Sequence, residues 1–322
     1  MNTPPEVTIV IPTHNRWPLL SSAALPSALE QEGVDLEVVV VDDGSTDGTA
    51  DRLEQLREPR LRVVRHERAR RVAAARNSGI GAALGTWLAF LDDDDLWAPD
   101  KLRRQLDVAH AEQASLVYSA VVALDGGWRT LHATWPDVPD RLHERLLVSN
   151  VIPAGSSNVL VRADVIRAAG GFDERLTYTE DWDLWLRISD GIRPAVVPEI
   201  HVGYVRHPFA MAFGGRRAVD EITLFVDKHR AAGLAVDPSR FVGWIASEHR
   251  AARRRREAAA TYLHSALAFG RPRHLVSAAT SLVDRKGRGL LHPRRGEQVS
   301  HRVEEPVLDP PWLEQRRTRI AA

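Results

Sequence analysis

Trp87-Leu88-Ala89-Phe90-Leu91-Asp92-Asp93-Asp94-Asp95 is the stretch on which the fold turns. Its unbroken apolar run predicts a strand buried on both faces. That strand delivers four carboxylates in a row at its C-terminal end. Like charges so close disfavour one another's ionisation, so the fold gains nothing from them alone. A positive partner is required, and oxygen ligands on a short turn suit Mg2+ or Mn2+ better than zinc. Asp92 and Asp94 form a D-x-D pattern, and alternate residues of an extended segment face the same way. The competing interpretation is a solvated acidic loop before the next helix. A second acidic pair, Asp42-Asp43, follows the apolar run Val38 to Val41. Two acidic strand ends in one chain point to a site for a metal and a nucleotide.

Working outward, strand and helix signals alternate over the first ~120 residues. Strands are predicted at 7–11, 36–41, 61–64, 86–91 and 116–124, and helices at 19–30, 47–56, 72–84 and 99–111. Asp47 is a candidate N-cap, and Pro99 stands at the first turn of its helix. This alternation predicts an α/β fold of parallel βαβ units, in which ligands sit beyond the C-terminal strand ends. Both acidic clusters fall there. From 125 to 207 the pattern is less regular. Helices are predicted near 139–148, 163–169 and 180–189, and short strands at 158–161, 195–197 and 202–206. Beyond Met211 the chain reads as helices at 219–231, 238–269 (with a break near 260) and 272–283. The domains expected are a catalytic unit at 1–210, a helical extension at 211–285, and an extended or disordered tail at 286–322, where Arg, Pro, Gly and Glu dominate.

With 322 residues and 44% hydrophobic content the chain can bury a large core. It has no cysteine, which excludes disulfides, a thiolate zinc site and a cysteine nucleophile, and suits a reducing cytoplasm. No signal peptide and no apolar run of transmembrane length is read in it. A net charge of zero hides an asymmetry: +9 from Met211 onward and −9 before it. The acidic front argues against a nucleic-acid ligand.

Three further groups carry chemistry. Asp43 precedes Gly44-Ser45, where glycine permits a sharp turn, and its carboxylate suits a base N–H or ribose hydroxyls. Turn capping is the alternative. Glu180-Asp181 opens a helix with an apolar stripe at Leu184, Trp185 and Ile188. A carboxylate there is stabilised by the helix N-terminus, and Asp181 reads as a general base or as a simple cap. Trp182, Trp185 and Trp97 are candidate sugar-packing faces or core residues. There is no G-x-G-x-x-G after the first strand and no P-loop, which disfavours a dinucleotide dehydrogenase or a P-loop enzyme.

In order and spacing these pieces resemble glycosyltransferase family 2. The motifs are Val7-Thr8-Ile9-Val10-Ile11-Pro12-Thr13-His14-Asn15-Arg16, Val41-Asp42-Asp43-Gly44-Ser45-Thr46-Asp47, Ala75-Arg76-Asn77-Ser78-Gly79-Ile80, Phe90 to Asp95 with Pro99 behind, Gly170-Gly171-Phe172-Asp173, and Thr179-Glu180-Asp181-Trp182-Asp183-Leu184-Trp185. The resemblance covers roughly residues 6–207. The resemblance implies a GT-A fold, a Rossmann-like, mostly parallel sheet flanked by helices, with an α-helical C-terminal extension. It also implies an inverting, metal-dependent transfer from a nucleotide sugar. Carried over, it puts Pro12, Thr13, His14 and Asn15 beside the nucleoside, with Asp43 on the base. It puts Arg76 and Asn77 near the donor, Asp92 and Asp93 near the ribose and sugar, Asp94 on the Mn2+ or Mg2+ ion, and Asp181 as catalytic base. Glu180, Trp182 and Trp185 fall on the acceptor side. His14 departs from the tyrosine or phenylalanine common at its position, although an imidazole can still stack on a base.

The Q-x-x-R-W signature and membrane helices of processive members are not found. The expectation is therefore a non-processive bacterial enzyme of cell-envelope polysaccharide biosynthesis. It would use a UDP-sugar, with dTDP-rhamnose as the other candidate, and a glycan or lipid-linked acceptor. Arg253-Arg254-Arg255-Arg256 suggests peripheral contact at the inner membrane face, a homo-oligomer interface, or a solvated helix face. Two other function classes stay open: a catalytically silent nucleotide-sugar-binding or scaffold protein, and a Mg2+-dependent phosphohydrolase.

Overall fold

The computed structural model describes residues 4–136, 139–206, 216–283, 302–304 and 309–321. They divide into two compact units. The first comprises Met1–Leu142, Ile152–Arg206 and His301–Ala322, and the second His143–Val151 and His207–Ser300. The boundary expected at 210 falls among residues outside those described.

In the first unit, β1 (Val7–Thr13) leads into α1 (Trp17–Leu19), a π-helical turn (Leu20–Ala24) and α2 (Leu25–Leu29). Then come β2 (Leu36–Asp42), α3 (Thr49–Gln55), β3 (Leu61–Arg65), α4 (Val72–Ala82) and β4 (Trp87–Phe90). Every residue of β1, β2 and β4 is buried, which is why they read as unbroken runs rather than alternating ones. These strands lie parallel in the order β4-β1-β2-β3. Register sets Thr13 beside Asp42 and Val10 beside Phe90. Both acidic segments therefore leave the sheet at the edge where β1 ends.

The chain continues through β5 (Leu96–Trp97), α5 (Lys101–Glu112), β6 (Leu116–Leu124), β7 (Thr130–Trp135), α6 (Leu142–Leu146), β8 (Leu160–Arg162), α7 (Ala163–Ala168), α8 (Glu180–Ser189) and β9 (Pro194–Val205). β8 lies between β4 and β6, antiparallel to both, while β6 and β9 run parallel. This half of the sheet is thus mixed, where βαβ logic predicts parallel strands. β9 is one continuous strand in place of two short ones. β7 has no counterpart in the sequence expectation, yet its signal was present. Asp125-Gly126-Gly127 turns the chain, with Asp125 Oδ1 accepting from the N–H groups of Gly127 and Arg129, and an antiparallel hairpin follows.

The second unit holds α9 (Arg216–Ala231), α10 (Ser239–Ala251), α11 (Arg255–Phe269) and α12 (Pro272–Val283). Its buried side includes Phe225, Val242, Ile245, Ala258 and Tyr262. The expected long helix breaks between α10 and α11, where Arg253 adopts φ 59°, rather than near Ala260.

The end of the chain departs from expectation. β10 (Arg302–Glu304) pairs antiparallel with β7, and α13 (Pro311–Ala321) is a helix of the first unit. Leu313 is buried with Ala23, Leu96, Val122, Leu124 and Val205. Trp312 Nε1 donates to the Ile200 carbonyl at 2.9 Å, and Arg316 and Arg319 pair with Glu30. Composition misses this segment because it has few apolar residues, and those it has fill a surface made by distant parts of the chain.

Candidate active site

Asp43 lies just past β2 and is buried. Its Oδ1 accepts from His66 Nδ1 at 2.7 Å and from the Arg70 N–H at 2.8 Å; Oδ2 accepts from the Arg71 N–H at 2.8 Å. His66 Nε2 in turn meets the Ser78 hydroxyl at 2.8 Å. A carboxylate only accepts here, so His66 carries its proton on Nδ1 and Asp43 is held as a pure acceptor. Gly44, at φ 74°, is required. A Cβ there would stand 2.6–2.8 Å from the Arg68 and Ala69 backbone. Arg71 sits at φ 77° and ψ 166°, a region nearly reserved for glycine, so the loop holding Asp43 is strained. His14 Nδ1 donates to the Asp43 carbonyl at 2.8 Å, leaving the ring exposed beside this end of the site. Asn15 braces the next turn: its Oδ1 accepts from the Thr46 N–H at 2.7 Å, and its own N–H donates to the Ser45 hydroxyl.

The acidic block joins this end through Thr13, whose hydroxyl donates to Asp93 Oδ2 at 2.7 Å. Pro12, one residue earlier, is buried in β1. Arg16 bridges Asp93 Oδ1 (3.1 Å) and Asp94 Oδ2 (2.8 Å). Burial and then the charge of Asp94 push Asp93 up to about 6, against the pull of Arg16 and Thr13. Asp95 is fully buried and accepts from the Val205 N–H at 2.8 Å, an anchoring role. Hard oxygen donors are what Mg2+ or Mn2+ requires, and the block supplies only those. Among the described residues no three His, Cys, Asp or Glu side chains group to enclose a metal. The block therefore fits an ion held by one or two carboxylates and completed by water and phosphate oxygens, the usual habit of Mg2+.

Arg76, on α4, links the block to the start of α8. Its Nη2 donates to Asp92 Oδ1 at 2.6 Å and its Nη1 to Glu180 Oε1 at 2.8 Å. The guanidinium is buried and stands 5.3 Å from the Phe172 ring centroid. Arg76, expected near the donor, is thus bonded to Asp92 and Glu180. Burial and the neighbouring Asp181 push Glu180 upward in pKa, Arg76 opposing them, and its Oε2 is buried without a hydrogen-bond partner. Asp181 follows at the same helix start.

Four expectations are corrected. Asn77 spends both amide hydrogens on the Phe172 carbonyl and Glu174, and its Oδ1 accepts from the Phe172 N–H. It thus ties down the Gly171-Phe172 turn, with no donor left for a ligand. Trp182 and Trp185 are 1% and 0% exposed, and Trp185 packs against Phe90 and Phe172. Trp97 is also fully buried, donating Nε1 to the Ser157 carbonyl at 2.7 Å. A sugar platform needs an open ring face, so all three are core residues.

Arg16, His66, Arg70, Arg71 and Ser157 were given no role from sequence. The repulsion within Asp92 to Asp95 calls for cations, and a metal need not supply all of the compensation. Two arginines supply part of it.

The sequence profile of glycosyl transferase family 2 matches residues 8–170, half of the chain. Succinoglycan biosynthesis protein ExoO of Rhizobium meliloti is 37% identical over 216 residues, covering 63% of this chain and 61% of that protein. WfgD of Escherichia coli, named UDP-Glc:alpha-D-GlcNAc-diphosphoundecaprenol beta-1,3-glucosyltransferase, is 33% identical over 35% of this chain and 44% of its own length. The chain thus spans about three fifths or less of these two relatives. Among solved structures, S. aureus TarS 1-349 in complex with UDP-GlcNAc aligns over 86% of this chain and 90% of its own, with TM-score 0.58 and 18% identity. Mannosyltransferase PcManGT from Pyrobaculum calidifontis, in complex with GDP-Man and Mn2+, aligns over 88% and 89%, with TM-score 0.53 and 22% identity. The mixed α/β sheet with flanking helices is the GT-A fold of these structures. On its profile match, the order of its motifs and this architecture, the chain belongs to glycosyl transferase family 2.

Proposed function

We propose that the chain is an inverting, divalent-metal-dependent glycosyltransferase that moves one sugar from a nucleotide diphosphate sugar to an acceptor hydroxyl. The observation that carries this is one hydrogen-bonded chain, Asp92–Arg76–Glu180, which ties the acidic block to the residue next to Asp181. Asp43 stands at the opposite, nucleoside end as a fixed acceptor for a base N–H. Asp181 accepts the proton of the acceptor hydroxyl as that oxygen attacks the anomeric carbon from the face opposite the diphosphate. An α-linked donor then yields a β-linked product. A Mg2+ or Mn2+ ion held by Asp94 would neutralise charge on the departing diphosphate. Asp92 and Asp93 are oriented toward ribose and sugar by Arg76, Thr13 and Arg16.

The ligands named for TarS and WfgD favour a uridine donor, and WfgD's name favours a lipid-linked acceptor. The second unit supports that acceptor. Trp244, Leu263, Leu267, Leu275, Val276 and Leu282 are exposed on α10 to α12. Between residues 250 and 283 the sequence has seven arginines and one acid. Apolar side chains flanked by arginine complement an anionic bilayer, which supports peripheral contact at the inner membrane face beside such an acceptor.

The test is a thermal-shift screen of UDP-glucose, UDP-galactose, UDP-N-acetylglucosamine, dTDP-rhamnose and GDP-mannose with Mn2+, followed by release of nucleoside diphosphate from the best binder. Asp181→Asn is expected to lower turnover about 10²–10⁴-fold, the range for a general base, while the donor-induced shift persists. Parallel loss of donor affinity contradicts the assignment. Donor binding without any turnover indicates a silent binder, and phosphate release from simple monoesters indicates a phosphohydrolase.

A further inference from the structure

The turn Gly155–Asn158, a 3-10 helix just before β8, has no role in the account above. We propose that Gly155 is a positioning residue whose missing side chain forms the seat of the Asp181 carboxylate. The proposal rests on Asp181 being the general base. A Cβ built on Gly155 would stand 2.2 Å from Asp181 Oδ2 and 3.5 Å from its Cγ, with nothing else within 4 Å. Gly171 crowds the amide end of Asn77 in a similar way, but Asn77 has no part in the chemistry. Gly44 and Gly85 press on backbone, so a side chain there disturbs the fold itself. At Gly155 the only obstacle is the movable end of one carboxylate.

The backbone at Gly155 favours glycine without demanding it. Gly155 has φ 50°, and Ala154 beside it adopts φ 55° with an alanine side chain. What glycine supplies is room. The seat is also rigid. Trp97 Nε1 donates to the Ser157 carbonyl, and Asn158 exchanges hydrogen bonds with the Ser119 backbone and donates to the Pro153 carbonyl at 3.0 Å. The Ser157 hydroxyl accepts from the Asp92 N–H at 3.1 Å. One short turn therefore touches the acidic block through Ser157 and the base through Gly155, and it sets the spacing between the two.

In Gly155→Ala, Oδ2 must retreat by about 1 Å to reach the 3.0 Å below which real Cβ contacts essentially do not occur. A displacement of that size in a catalytic group costs on the order of 10²-fold in rate. Gly191→Ala controls for backbone strain, since Gly191 has φ 91° and open space where its Cβ would stand. With UDP-glucose and Mn2+ as probe, Gly155→Ala is expected to lose about 100-fold in kcat with KM little changed, Gly191→Ala to keep its activity, and Gly155→Ala to cost nothing further in an Asp181→Ala background. Stability gives a readout independent of the donor. Part of the melting loss in Gly155→Ala is backbone strain at φ 50°, of the size that Gly191→Ala shows; the remainder should vanish in Gly155→Ala/Asp181→Ala. Wild-type turnover in Gly155→Ala, losses that multiply with Asp181→Ala, or a double variant that melts as far below Asp181→Ala as Gly155→Ala melts below wild type would each overturn the proposal. An active Asp181→Ala enzyme instead removes the base assignment, so the two failures are distinguishable.

Discussion

Asp93 and Asp94 share a single guanidinium, that of Arg16, which is itself about half exposed. An arginine so open to water is partly screened and can move aside. A divalent ion at Asp94 would therefore meet little resistance from it. Asp94→Ala is expected to weaken Mn2+-dependent donor binding about 10–100-fold or more, since loss of an outer-sphere partner alone costs that much. Calorimetric titration with Mn2+ and UDP-glucose measures this, and a titration unchanged from wild type removes Asp94 as the ligand. Asp94 was legible because it belongs to a run. Arg16 is not legible in this way, because nothing local to residue 16 announces an acidic partner 78 positions away.

At the scale of elements, the parallel strands β1, β2 and β4 were readable because burial on both faces writes itself as a continuous apolar run. β8 and β7 were harder. β8 is expected as a short strand at 158–161, but its antiparallel place between β4 and β6 depends on neighbours far away in the chain. α13 is the clearest case. Leu313, 1% exposed, fills a cluster containing Leu96 and Val205, and these flank Asp95 in sequence and by hydrogen bond respectively. Leu313→Ala should cost about 2–5 kcal/mol, as core leucine truncations do, and should lower turnover by loosening the acidic loop. Urea unfolding followed by circular dichroism checks it; a change below about 0.5 kcal/mol, typical of a surface site, means that α13 is not part of the core.

Along the whole chain, charge divides between an acidic part before Met211 and a basic part from it onward, and the exposed apolar residues of α10 to α12 belong to the basic part. Sedimentation with vesicles containing phosphatidylglycerol is expected to carry the protein down, phosphatidylcholine vesicles to leave it in solution, and raised salt to release it, because each arginine near an anionic surface contributes about 1 kcal/mol that salt screens. Equal binding to both lipids would exclude the electrostatic part of this reading. By itself the sequence determined what is carried by covalent neighbours: strands ending in carboxylates, a helix opening with Glu180-Asp181, and the order of motifs that marks the family. Periodicity and adjacency are local, so one chain displays them without its fold. Only the tertiary structure decided which groups those carboxylates meet. Arg76 reaches Glu180 across 104 positions, His66 holds Asp43 across 23, and Gly155 leaves room for Asp181. It also decided that three tryptophans beside the site face inward. Such pairings depend on which buried surfaces the chain brings together, and no stretch of sequence records its distant neighbours.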